Sequence, residues 1–247
     1  MNGVMKGSRD GKNGIYLMNV NSTGEKYCRG TSRLIVVEGV TEIPAYTFSH
    51  CFNIKKVIFA NTVVRIEDYA FKNCVKLIYF KLPINLEVIG AFSFVGCNLS
   101  SVFLPPRCRQ VGQIAFAWNT NLKIVNVPQD VELQENVFAG TKLIVDSYFG
   151  HIEDEEGYYD DAHEEAVQEW IKDIHSDEKY ALHRACCSFQ PSKQVIFTIL
   201  EEKGIGAFSE ENGAGITPSQ YLKENPYADI EEMDIMREYV MKMMGEI

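Results

Sequence analysis

Residues 77–97 read LIYFKLPINLEVIGAFSFVGC, and the spacing inside this stretch returns along the chain. Phe94 has counterparts at Phe48, Phe71, Phe116 and Phe138, at intervals of 23, 23, 22 and 22 residues. Five residues before each Phe lies an aliphatic: Ile43, Ile66, Ile89, Val111 and Leu133. Three residues earlier come Val40, Val63, Leu86 and Cys108, with a slip of one to Val131 in the last unit. Three residues after each Phe come Cys51, Cys74, Cys97, Asn119 and Thr141. Each unit runs into a short alternating segment, as in Ile54-x-x-Val57-x-Phe59 and Leu122-x-x-Val125-x-Val127, and proline follows at Pro83, Pro105 and Pro128. A unit of this length cannot bury its own apolar side, whereas stacked units cover one another. The spacing therefore predicts one short strand and a return limb per unit. Parallel strands form one face, the Phe and Ile/Val columns fill the interior, and prolines sit past the strand ends, where a missing N–H matters least.

The pattern L-x-x-V-x-L-P-x-x-V-x-x-I-G-x-x-A-F-x-x-C resembles the BspA-type leucine-rich repeat over about residues 33–145. The resemblance implies an α/β repeat fold: a short right-handed solenoid of about five units. The outer units depart from the pattern as caps do, with Leu34-Ile35-Val36 a truncated first strand and fading after Phe138. The column Cys51, Cys74, Cys97, Asn119, Thr141 reads as a ladder of small, buried, weakly polar residues.

Side chains alternate across a strand. With Val57 and Phe59 pointing inward, the outward columns are Lys56, Tyr79, Ser101, Ile124 and Ile58, Lys81, Phe103, Asn126. Exposed Ile58, Tyr79, Phe103 and Ile124 would form an apolar patch with two lysines, the expected partner-binding surface. The alternative is that an acidic tail folds back over it.

Charge divides the chain. Residues 1–148 hold 16 Lys/Arg and 11 Asp/Glu, a net of +5, while residues 149–247 hold 8 and 23, a net of −15. The overall charge of −10 argues against general nucleic-acid binding. Residues 1–32 are expected to be a polar N-terminal segment or cap, 33–147 the solenoid, 148–161 an acidic linker and 162–247 a helical domain. No apolar run opens the chain and none is long enough to span a membrane, so a cytoplasmic location is expected. The seven cysteines are then expected to be reduced thiols.

In the last third, Asp161-Ala162-His163-Glu164 has capping-box spacing, and Ala166, Val167, Trp170, Ile171 and Ile174 share one helical face. Ser192 is placed to cap a second helix with Val195, Ile196, Ile199 and Leu200 inward, ending at Gly204. Asp229-Ile230-Glu231-Glu232 opens a further helix with a Met-rich stripe through Met243 and Met244. Tyr180-Ala181-Leu182-His183-Arg184-Ala185 resembles the T-P-L-H-x-A start of an ankyrin repeat, and Gly215-Ile216-Thr217-Pro218-Ser219-Gln220 resembles the next. The tail is thus identified with a small all-α, degenerate ankyrin-like domain. The whole layout resembles a group of proteins from single-celled algae. They carry an A-L-H-x-A-C segment, here residues 181–186, a G-I-T-P-S-Q-Y-L segment, here 215–222, and a final M-M-G-E-I.

Nothing in the spacing points to chemistry. Gly7-Ser8-Arg9-Asp10-Gly11-Lys12-Asn13 is one residue short of a phosphate-binding loop and lacks its Ser/Thr. His183, Cys186 and Cys187 lie within about one turn, but adjacent cysteines on a helix diverge by about 100°. His50, His151, His163 and His175 are scattered, and the carboxylates at 153–156 and 164–165 lie in charge runs. No catalytic residue, cofactor or metal is expected. The function that follows is a non-catalytic protein–protein interaction module or scaffold for an unspecified protein. The alternatives are a cell-surface adhesion protein and an enzyme with a site at the domain junction.

Overall fold

The structure is a computed structural model, and it describes residues 9–10, 15–18, 31–143, 161–188, 191–228 and 241. The chain divides into two compact units, one built on residues up to Leu143 and one on the helices from Glu165 onward.

The first unit is a solenoid of very short strands. On one side run β1 (Arg9–Asp10), β2 (Ile15–Met18), β3 (Arg33–Val36), β5 (Lys56–Ile58), β7 (Tyr79–Lys81), β9 (Ser101–Phe103) and β11 (Ile124–Asn126). On the return limb lie β4 (Glu42–Ile43), β6 (Arg65–Ile66), β8 (Val88–Ile89), β10 (Gln110–Val111) and β12 (Glu132–Leu133), which form their own five-stranded parallel sheet. The first side splits into a sheet ordered β1-β2-β3-β5-β7 and a pair β9-β11. All pairings are parallel except β1 with β2. The split falls where the unit is shortest. Lys56 to Tyr79 and Ser101 to Ile124 each span 23 residues, Tyr79 to Ser101 only 22, and the missing residue lies between Cys97 and Leu99.

Two features extend the sequence reading. The return limbs are themselves strands, which alternating apolar pairs such as Val88-Ile89 do not announce at two residues' length. And the sheet starts before Leu34: Ile15–Met18 pairs in register with Arg33–Val36. The expected polar segment over residues 1–32 thus contributes two strands. Its offset of 18 residues falls outside the 22–23 period, so the repeat spacing does not reach it.

The core follows the columns. Phe48, Phe71, Phe94, Phe116 and Phe138 are buried and stack in a continuous ladder with centroid separations of 5.3, 5.2, 5.4 and 5.9 Å. Ile43, Ile66, Ile89 and Val111 are fully buried. Leu133 and Val131, in the last coil, are half-buried.

Each Phe sits in a tight turn flanked by two left-handed residues. Two positions before it, Tyr46, Tyr69, Phe92, Ile114 and Asn136 have φ of 56–59°. Two positions after it, His50, Asn73 and Trp118 do the same at φ of 56–59°, and Gly96 and Gly140 at 65°. A left-handed conformation costs about 1–2 kcal/mol per non-glycine residue. It persists because the turned backbone aims three N–H groups of each coil at the next. Tyr46, Phe48 and His50 donate to the carbonyls of Asp68, Ala70 and Lys72, and Tyr69, Phe71 and Asn73 to Ala91, Ser93 and Val95. Gly90 shows how close the coils lie there: a side-chain carbon on it would come within 2.5 Å of the Asp68 backbone nitrogen.

The second unit holds α1 (Asp161–Ser176), α2 (Ala181–Cys187), α3 (Lys193–Lys203) and α4 (Pro218–Glu224), with 3-10 turns at Glu178–Tyr180 and Ile205–Ser209. On α1, Val167, Trp170 and Ile174 are buried. The Ser192 side chain caps α3 through the Val195 N–H, and Gly204 ends it with its N–H on the Leu200 carbonyl. Ile196 and Leu200 are buried as expected, but Val195 is 50% exposed, because a three-turn helix with one covered stripe leaves that position outside it. Thr217 and Gln220 form a reciprocal capping box at the start of α4. The acidic segment over 148–160 and the Met-rich stripe from Asp229 lie outside the described residues, apart from the helical Met241.

Candidate functional site

The sheet face was the expected partner surface, and the structure divides it. Lys56, Ile58 and Lys81 are exposed, Ile58 at 41%. Ser101 and Asn126 are half-buried. Phe103 and Ile124 are buried, at 4% and 8% exposure, which corrects the expectation that they stand in solvent. Strand alternation sends them away from the solenoid core but cannot say whether another part of the chain covers that side. The backbone of Tyr79 pairs with Lys56 across β5 and β7.

Exposed apolar side chains concentrate in the same two coils as Ile58. Phe52, Val75 and Ile78 are 52%, 48% and 50% exposed. In later coils the positions of Phe52 and Val75 are taken by Asn98, Thr120 and Lys142, and that of Ile78 by Ser100 and Lys123.

A second surface arises at the turns, and strand-centred reasoning missed it. The left-handed residues before each Phe bring Tyr46, Tyr69 and Phe92 into a stack, with centroids 4.6 and 4.8 Å apart and rings within 6° of parallel. Its signal was present as an aromatic column two residues before the Phe column. Beside it, a hollow of about 440 Å³ is lined by Tyr46, Ser49, His50, Tyr69 and Lys72. The Lys72 ammonium lies 5.3 Å from the Tyr69 ring centre. In later coils the Ser49/Lys72 position becomes Val95, Ala117 and Ala139, which are buried together against Phe92 and Ile114. The hollow therefore belongs to the first two complete coils.

The column of small polar residues is structural. The Cys74 and Cys97 thiols donate to the carbonyls of Phe48 and Phe71, 3.2 and 3.3 Å away. Burial pushes the Cys97 thiol well up from its ordinary value and Cys108 up to about 12, so neither is a ready nucleophile. Cys74, Cys97, Cys108, Cys186 and Cys187 are free, but Cys51 is disulfide-bonded, with its partner outside the described residues. This corrects the expectation of reduced thiols throughout: a column position that buries a sulfur can also pair it.

His183, Cys186 and Cys187 are buried on α2 and do not converge on a metal. Among the described residues no three His, Cys, Asp or Glu side chains are grouped to hold one. Instead His183 Nε2 donates to the Ile216 carbonyl at 3.1 Å. Burial lowers the His183 pKa and outweighs the opposing pull of that carbonyl. The sign follows: the unfolded histidine takes up a proton near its ordinary 6.5, the folded one only at lower pH. Stability contributed by neutral His183 is full above that value and is lost as pH falls through it. The unfolding midpoint of the helical unit is expected to drop between about pH 7 and pH 5. In a His183→Gln variant this part of the drop disappears, so the stability gap between the two proteins narrows as pH falls. A gap constant with pH would refute the assignment.

No described helix is long and apolar enough to cross a membrane. With this geometry in place, the family model for the BspA type leucine rich repeat region matches residues 41–152 in six copies, and this part of the chain is a BspA-like leucine-rich-repeat solenoid. No curated protein matches the chain. Among solved structures, a leucine-rich repeat protein from Bacteroides ovatus is 26% identical over 50% of this chain and 32% of its own, with a TM-score of 0.45. The leucine rich repeat protein of T. pallidum is 23% identical over 51% of this chain and 56% of its own, with a TM-score of 0.41. The chain thus spans about a third to just over half of the length of these proteins.

Proposed function

We propose that the chain is a non-catalytic protein–protein interaction module, and that the strand face of its early coils holds the partner. The observation that carries this is Ile58, 41% exposed on β5, paired with the exposed Lys81 of β7 and two residues from the exposed Lys56. Phe52, Val75 and Ile78 add apolar surface in the same coils. Apolar side chains gathered on a rigid, lysine-bearing solenoid favour a partner with apolar and acidic groups. Phe103 and Ile124, being buried, are not part of this surface.

The test compares wild type with an Ile58→Glu/Lys81→Glu variant in quantitative capture of binding proteins. The variant first has to show an unchanged denaturation midpoint. Loss of the specific partners is the expected result; capture of the same partners at the same yield removes the strand face from the reading.

The helical unit is read as an ankyrin-like extension of the module. The support is the bond from His183 to Ile216, which ties α2 to the turn 33 residues on that opens α4. The module is read as intracellular, and the support is the five cysteines that lie outside any disulfide. The second reading, a surface adhesion protein, is favoured by the Cys51 disulfide, since such bonds persist in oxidising compartments. Surface labelling of intact cells separates the two: strong labelling supports adhesion, protection from the label supports the intracellular module.

A further inference from the structure

The geometry points to the hollow at residues 46–50 and 69–72 as a binding site for an anionic sugar, a ring bearing a carboxylate or a sulfate. The hydrogen-bond order there decides the charge preference. The Asn73 side-chain amide donates to His50 Nε2 at 3.2 Å, so the neutral ring carries its proton on Nδ1. That Nδ1–H donates to Ser49 Oγ at 2.8 Å. The Ser49 hydroxyl hydrogen is then not used on His50, and Ser49 is one of the lining residues. Lys72 brings an ammonium and Tyr46 and Tyr69 bring hydroxyls to the lining, and among the described residues no carboxylate lines the hollow. Tyr69 is stacked on both faces, by Tyr46 and by Phe92, and so presents its positive edge, which also favours an anion.

The sugar part follows from Tyr46. It is 53% exposed, so part of its ring surface remains for the C–H groups of a sugar. The volume of about 440 Å³ lies in the range of small-ligand sites. The position is locked in the backbone: Tyr46 and His50 are both left-handed, and their N–H groups bond the next coil, so the hollow is preformed.

The test follows backbone amide shifts of the full chain on adding D-glucuronate, a galactose sulfate, glucose and inorganic sulfate separately. At least one anionic sugar is expected to shift amides of residues 46–50 and 69–73 saturably, and which one does so identifies the anion. Glucose and inorganic sulfate are expected to bind about tenfold more weakly, the loss of one charge-assisted contact or one stacked ring. Lys72→Gln and Tyr46→Asn are each expected to weaken binding about tenfold. Asparagine already occupies the Tyr46 column at Asn136 with the same backbone, so the second variant keeps the fold. Absence of saturable shifts at these amides overturns the site, and so does unchanged binding by both variants. Inorganic sulfate binding as tightly as the sugars overturns the sugar assignment.

Discussion

Replacing Phe94 by Ala is expected to lower the stability of the solenoid by about 3–5 kcal/mol. Phe94 is 0% exposed and stacks between Phe71 at 5.2 Å and Phe116 at 5.4 Å, with Phe80 4.9 Å away on the strand side. Truncation leaves a ring-sized void that neighbours pinned by the inter-coil N–H ladder cannot close. Phe71→Ala should behave alike. Phe138 stacks on Phe116 at 5.9 Å as the last described ring of the ladder, with one described ring neighbour in place of two, so Phe138→Ala should cost less. Chemical denaturation of the three variants checks this. A Phe94→Ala midpoint close to wild type would mean that the ladder is not the core. Because each coil rests on its neighbours, a central loss should also separate the melting of the two flanking halves.

The second large effect is expected at Asn119, which is fully buried and follows Cys97 in the column of small polar residues. Its amide donates to the carbonyls of Phe94 and Phe116 at 2.9 and 2.8 Å, and its oxygen accepts from the Leu99 N–H at 3.0 Å. One side chain thus serves three backbone groups across two coils. Asn119→Ala strands all three away from solvent, and at about 1–3 kcal/mol per unsatisfied group the loss should reach about 3–5 kcal/mol. Asn119→Cys restores the residue type of Cys74 and Cys97, whose thiols reach the carbonyl of the previous coil. It should recover part of the loss but not the bond to Leu99. Equal stability of the Ala and Cys variants would show that the carbonyl contacts carry no weight. The Leu99 contact also falls where the unit is one residue short, so Asn119 restores a backbone partner at the split between β7 and β9.

Much of the solenoid was legible because its physics is local and repeated. Phe, Ile and the small polar residue recur at fixed offsets, and each offset has one place in a stacked coil, so Phe48, Ile66 or Cys74 can be assigned to the interior from spacing alone. The capping residues Ser192 and the end at Gly204 were legible for the same reason: they act within four residues of themselves. Val195 was misread because helical periodicity gives a face but not how wide a stripe the neighbours cover.

The candidate sites divide along the same line. Alternation correctly put Lys56, Ile58 and Lys81 on the outer face, since it depends only on the pleat. Phe103 and Ile124 hold equivalent strand positions, yet they are buried, and the pleat alone does not fix burial. The hollow at Tyr46, Ser49, His50, Tyr69 and Lys72 exists because left-handed turns swing side chains from two coils, 23 residues apart, to one edge. The disulfide at Cys51 is likewise a matter of which sulfur meets it. By itself, then, the sequence determined the period, the core columns and the facing of each strand residue, all consequences of backbone geometry over a few residues. Only the tertiary structure decided which outward residues stay wet, which turn residues converge and which buried polar groups find partners, because those depend on atoms from distant coils meeting within a few ångströms.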